Sequence, residues 1–126
     1  MKIALLEDNP TNSEFIQTVL QMEGHQIFPY TDGDSLFQAL QTTGDLFPYD
    51  VAIIDLWLPG SYSGQDVMRH IQQRYSSKYP PFVVLSALSL NILTLVQADF
   101  PATPIIRKPF KSRELLAAIQ LVVARP

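Results

Sequence analysis

The sequence predicts an α/β domain built on an open, doubly wound parallel sheet. Two observations carry that prediction. Five short apolar runs of strand length alternate with five longer segments of helical periodicity. The runs also end in chemically capable residues: Glu7-Asp8 after the first, Asp55 after the third, Ser86 after the fourth and Lys108 after the fifth. In a parallel sheet ligands gather at that carboxyl rim.

Ile3 to Leu6 is the first strand, and it runs into Glu7-Asp8-Asn9-Pro10, where Asn9-Pro10 signals a turn and Pro10 suits a helix's first turn. From about Thr11 to Glu23, Phe15, Ile16, Val19 and Leu20 recur at helical spacing, and Gly24 is a natural stop. Gln26 to Tyr30 reads as a weaker strand, since Pro29 cannot donate to a ladder. Asp32-Gly33-Asp34-Ser35 supplies a turn and an N-cap for a second helix carrying Leu36, Phe37 and Leu40 and ending near Thr43-Gly44.

Val51 to Ile54 is uniformly apolar, as a strand buried on both faces should be, and Pro59 prevents its extension beyond Asp55. After the loop from Pro59 to Gly64, Val67, Met68 and Ile71 mark a third helix, running to about Tyr75 or Ser77. Phe82 to Leu85 is the fourth strand, and Ser89 to about Ala98 the fourth helix. Pro104 to Arg107 is the fifth strand, and Ser112 is the expected cap of a last helix bearing Leu115, Leu116, Ile119, Val122 and Val123. The whole chain, 1–126, reads as one domain with no room for a second.

Composition narrows the function. With 47% hydrophobic residues the chain can bury a core, and with no cysteine it has neither disulfides nor thiolate chemistry. A net charge of −3 and only one short basic patch, Arg107-Lys108 to Arg113, argue against direct nucleic-acid binding. No apolar run approaches the ~18 residues of a membrane span, so a cytoplasmic location is expected. His25 and His70 are expected to face solvent without a role.

Three carboxylates meeting at one rim repel unless a cation neutralises them, and hard oxygen ligands with places left for water select Mg²⁺. A carboxylate can also attack phosphorus to give an aspartyl phosphate. The transferring group then needs positive charge and donors around its oxygens. Lys108 and the Ser86 hydroxyl are of the right kind.

Glu7-Asp8 after the first strand, Asp55-Leu56-x-x-Pro59 with a later Gly64, Ser86-Ala87, and Lys108-Pro109-Phe110 resemble, in order, the motifs of response-regulator receiver domains of two-component signalling. The resemblance covers nearly the whole chain. It implies a flavodoxin-like fold of strand order 2-1-3-4-5 with five helices. It also implies that Asp55 is the phosphoacceptor and that Asp8, Asp55 and the backbone carbonyl of Trp57 bind Mg²⁺, with Glu7 acting through a water. Ser86 would donate to the phosphoryl group, Lys108 would pair with it, and the Lys108-Pro109 peptide would be cis. A sensor histidine kinase or phosphotransfer protein would be the donor. A homodimer or partner surface would lie on the fourth helix, fifth strand and fifth helix, the apolar excess of Leu90, Ile92, Leu93, Leu95 and Val96 fitting such a role.

The chain departs from the family pattern at three places. Ile105 stands where an aromatic switch residue is usual, the Pro59–Gly64 loop is one residue longer than is common, and Trp57 and Leu88 occupy positions that govern the approach of water to the phosphoryl group. Competing functions fit less well. An Asp-nucleophile phosphohydrolase needs an acid where Trp57 stands, and a phosphorylation-independent pseudo-receiver usually lacks the acidic pair or the lysine. A flavin-binding protein needs a phosphate cradle where Glu7-Asp8 would repel phosphate. The bulk of Trp57 and Leu88 predicts slow self-dephosphorylation. Protein labelled with radioactive phosphate should keep its label well beyond seconds in Mg²⁺ buffer, and loss within seconds would count against the role assigned to these two side chains.

Overall fold

A computed structural model of the chain describes residues 1–87 and 90–123, without the side chains of 90–93 and 95. The elements alternate as β1 (Lys2–Leu6), α1 (Pro10–Met22), β2 (Gln26–Tyr30), α2 (Gly33–Leu40), β3 (Val51–Asp55), α3 (Gly64–Tyr75), β4 (Phe82–Ser86), α4 (Leu90–Asp99), β5 (Ile105–Arg107) and α5 (Ser112–Val123). A single 3₁₀ turn, Ser76–Lys78, follows α3. All strand pairs are parallel and the order is β2-β1-β3-β4-β5, the expected flavodoxin-like arrangement.

Side-chain alternation along the strands explains the layering. Ala4, Leu6, Ala52, Ile54, Phe82 and Val84 point to one face and pack with Leu36 and Leu40 of α2, Val67, Met68 and Ile71 of α3, and Val96 of α4. Their neighbours Ile3, Leu5, Val51, Ile53, Val83 and Leu85 point to the other face and pack with Ile16 and Leu20 of α1 and Leu115, Ile119 and Val122 of α5. The central strands β3 and β4 are buried at every position, which is why residues 51–54 and 82–85 run apolar without alternation before the polar ends Asp55 and Ser86.

Pro29 is accommodated because β2 is an edge strand, with β1 as its one neighbour and Leu5 opposite the proline. Helix α2 stops at Leu40, short of Thr43-Gly44. There the Thr43 N–H, the Thr43 hydroxyl and the Arg74 guanidinium all donate to the Leu40 carbonyl, at 3.2, 2.9 and 2.9 Å, and give it partners outside the helix. Ser112 is the first helical residue of α5, not its cap. Lys111 holds the cap position, and its backbone N–H donates to the Glu114 carboxylate at 3.2 Å. Leu88 and the side chains of Leu90, Ile92, Leu93 and Leu95 lie outside the described residues, whereas Val96 is fully buried in the core.

Gly64 is required by the fold. A Cβ there would collide with the Asp55 carbonyl oxygen and lie 2.7 Å from Leu56 Cα, so α3 starts directly against the end of β3. Ser76 is the opposite case, a side-chain-bearing residue at φ 49°, ψ −126°, a backbone region that favours glycine. Relief of that strain should exceed the entropy that glycine adds to the unfolded chain. Ser76→Gly is therefore expected to stabilise the protein by about 1 kcal/mol in urea denaturation, and an unchanged or lowered midpoint would refute this.

Candidate functional site

The register of the sheet brings the sequence-predicted residues to one rim. Leu6 lies opposite Ile54, Asp55 opposite Leu85, and Ser86 opposite Arg107, so the strands end nearly level. The residue following β1 is Glu7, whose N–H donates to the Tyr30 carbonyl at 3.1 Å and continues the pairing by one step. Asn9 then caps α1, its side chain accepting from the Asn12 N–H at 3.0 Å, with Pro10 as the first helical residue. This sharp turn leaves Glu7 buried and Asp8 exposed at the rim.

Asp55 is 3% exposed. Its Oδ1 accepts from the Trp57 N–H at 3.0 Å, and its Oδ2 accepts from Lys108 Nζ at 2.7 Å. The same ammonium lies 2.6 Å from Glu7 Oε1, so one cation bridges two buried carboxylates. The Glu7 contact is an ion pair without hydrogen-bond geometry, which leaves Oε1 without a hydrogen-bond partner. Lys108 is delivered by β5: its N–H donates to the Ser86 carbonyl at 2.8 Å, tying it to the end of β4, where Ser86 is fully buried. The Lys108-Pro109 peptide is cis, as the resemblance implied.

The electrostatics follow from this crowding. The Glu7 carboxyl is pushed up to about 7, first because burial strips its hydration and then because it lies in hydrogen-bonding reach of Asp55, with Lys108 opposing the shift. Burial pulls the Lys108 ammonium down, but its contacts with Asp55 and Glu7 outweigh that and hold it above its ordinary value. Ligand oxygens of Glu7, Asp8 and Asp55 all lie within 4.8 Å of one another. Clustered hard oxygens, one of them lacking a hydrogen-bond donor, fit a small divalent cation of the Mg²⁺ class.

Above them opens a groove of about 430 Å³ lined by Asp8, Asn9, Asn12, Asp55, Trp57, Ala87 and Lys108. Trp57 is 72% exposed, so its indole stands at the rim. A larger hollow of about 640 Å³ lies at the opposite ends of the strands, between Met1, Val51, Pro81 and Val122. Its one acid, Asp50, already accepts from the Lys2 N–H at 2.8 Å, whereas the smaller groove gathers Asp8, Asp55 and Lys108.

Sequence reasoning missed Asn12, which reaches the groove because it lies one turn into α1; only its spacing from Glu7-Asp8 could have signalled it. It also missed an aromatic cluster beside α2, where Tyr62 lies edge-on to Phe37 at 4.9 Å and to His70 at 5.1 Å between ring centroids. His70 is exposed as expected, yet one face of its ring is packed. Ile105 is half-buried against the α2–α4 layer.

A family model described as the response regulator receiver domain matches residues 3–120. The response regulator ArlR of Staphylococcus aureus (strain Mu50) is 32% identical over 125 residues, 98% of this chain and 53% of that protein. The chain thus spans about half the length of the curated relatives it matches. Among solved structures, the receiver domain of the sensor histidine kinase PA1611 from Pseudomonas aeruginosa PAO1, described with a magnesium ion coordinated in its active site cleft, is 25% identical. It has a TM-score of 0.81, and 98% of each chain is covered. The chemotaxis protein CheY4 of Vibrio cholerae, 23% identical with a TM-score of 0.79 over 96% of this chain and 97% of that one, shares the fold.

Because Glu7 is harder to ionise folded than unfolded, its contribution to stability is present below its ordinary value of 4.5 and lost as pH rises through about 7. In chelator, that loss should be on the order of 3 kcal/mol between pH 4.5 and 8. Glu7→Gln has nothing to ionise, so its gain in Tm over wild type should grow across this range. A difference that stays flat or shrinks would refute the assignment.

Proposed function

We infer the function from one premise: the chain belongs to the response regulator receiver domain family. It is a receiver module of two-component signalling, and we assign its chemistry to the rim. Asp55 is the phosphoacceptor, and a sensor histidine kinase or phosphotransfer protein is the donor. One observation carries this reading. Asp55 is buried at the end of β3, oriented on one oxygen by the Trp57 N–H and on the other by Lys108, and clusters with Glu7 and Asp8 beneath an open groove.

Transfer forms a bond from an Asp55 carboxylate oxygen to phosphorus as the P–N bond to the donor imidazole breaks. Lys108, already within contact of Asp55, is placed to follow the charge onto the phosphoryl oxygens. Ser86, held at the end of β4 beside Lys108, is the hydroxyl donor to the same group. Asp8, Asp55 and the Trp57 carbonyl would hold Mg²⁺, with Glu7 acting through a water. The magnesium-bearing Pseudomonas relative supports that choice of ion. The ion supplies charge neutralisation that lets an anionic carboxylate meet an anionic phosphoryl group.

Trp57 offers no acid or base beside the acceptor, so turnover of external phosphoesters is not part of this reading. Among the described residues no helix is long and apolar enough to cross a membrane, and a cytoplasmic location suits a kinase-fed module. Leu121 and Val123, 54% and 48% exposed, leave apolar surface on α5, one of the three elements assigned with α4 and β5 to a homodimer or partner.

Acetyl phosphate with Mg²⁺ should add the mass of one phosphoryl group to wild type and none to Asp55→Asn. If intact-mass measurement shows wild type unmodified and beryllofluoride also fails to bind, the phosphoacceptor assignment falls.

A further inference from the structure

The loop between β3 and α3 joins two places that have no other reason to communicate. Its near end is the site: the Trp57 N–H donates to Asp55 Oδ1, and Leu56 is pinned through its N–H to the Leu85 carbonyl at 3.1 Å and through its carbonyl to the Gly64 N–H at 3.0 Å. Its far end is fastened to α2 and α3. Gly60, at φ +88°, lies so close to α2 that a Cβ there would be 3.0 Å from Asp34 Oδ2, and the Ser61 N–H points at the same oxygen from 3.4 Å. The Tyr62 ring then packs edge-on against both Phe37 of α2 and His70 of α3, which also touch each other, and Ser63 closes the loop by capping α3 in a reciprocal box with Asp66. The loop therefore carries an aromatic anchor at Tyr62 instead of hanging in solvent.

We propose that this loop is a strap coupling the Asp55 site to the Tyr62 aromatic clamp. In this arrangement Tyr62 is a positioning residue, acting on the site by fixing where the Trp57 backbone lies. The inference rests on the functional reading above, because it takes the Trp57 carbonyl as a ligand and the Trp57 N–H as an orienting donor. The segment has few residues between its fastenings, so a shift of the Trp57 peptide when the site fills must be absorbed at the clamp. Linkage makes the effect reciprocal: whatever the clamp does to cation affinity, the cation does to the clamp. Such a route reports occupancy at the α2–α3 face, away from Ile105, where the usual aromatic is missing.

The test is a Mg²⁺ titration of the full chain, read by fluorescence of Trp57, the one tryptophan present, and by NMR of the His70 ring. Tyr62→Ala should weaken Mg²⁺ binding about tenfold, within the usual range of coupling between sites, and Tyr62→Phe should restore it. In wild type the His70 signals should move with Mg²⁺, and in Tyr62→Ala they should not. Phe47→Leu removes an aromatic whose ring partners are Tyr49 and Tyr75, so it should lower Tm and leave Mg²⁺ affinity unchanged. The proposal is overturned if Tyr62→Ala binds Mg²⁺ like wild type, or if Phe47→Leu weakens binding as much for the same loss of Tm. Should Tyr62→Ala not fold, His70→Ala frees one side of the clamp and is judged by the same two criteria. Wild type that binds no Mg²⁺ would instead defeat the functional reading, a result separable from intact binding that is insensitive to Tyr62.

Discussion

One half-buried ammonium holds the carboxyl rim of this molecule together. Lys108 Nζ lies 2.6 Å from Glu7 and 2.7 Å from Asp55, and both acids are almost wholly removed from water. Removing a partner from such a pair generally costs about 3–5 kcal/mol, because the remaining charge stays buried and uncompensated. Here the lysine offsets two like charges at once, which is why β5 must end level with β1 and β3. The short pairing of β4 with β5, from Val84–Ile105 to Ser86–Arg107, therefore sets where the lysine meets acids carried by other strands.

The arrangement is held by backbone features more than by side-chain packing. Gly64 lets α3 begin against the Asp55 carbonyl, Asn9 and Pro10 turn the chain away just after the acids, and the Ser86 carbonyl receives the Lys108 N–H. Each feature acts within a residue or two of a site side chain. The acids are consequently presented by the ends of buried strands, and their separation follows from sheet geometry.

Much of this was legible from sequence for a simple reason. Strands buried on both faces leave continuous apolar runs, and the first polar residue after each run marks the rim; Glu7, Asp55 and Ser86 are found that way. Lys108 lies one residue past Arg107, the first polar residue of the edge strand β5, and is legible instead from Lys108-Pro109-Phe110. What escaped depends on contacts distant in sequence. Helix α2 stops at Leu40 because Arg74, from α3, takes part of its carbonyl's capacity. Tyr62 and His70 looked like loop and surface residues because nothing local reveals that both pack against Phe37 and against each other. The same holds for Tyr30 and Tyr49, whose hydroxyls hydrogen-bond across the gap between β2 and the segment before β3. Ser76 escaped because serine carries no hint of the glycine-like conformation it must adopt.

The partition of the core into two layers has an evolutionary consequence. Ile16 and Ile119 on one side never meet Met68 and Val96 on the other, since the sheet stands between them. Substitutions separated in this way and sharing no neighbours tend to combine independently. Drift in α1 and α5 is thereby insulated from drift in α2, α3 and α4, and each layer is free to acquire its own outward surface while the strand ends between them stay fixed. A lineage can in this way rewrite one set of recognition contacts at a time without renegotiating the chemistry.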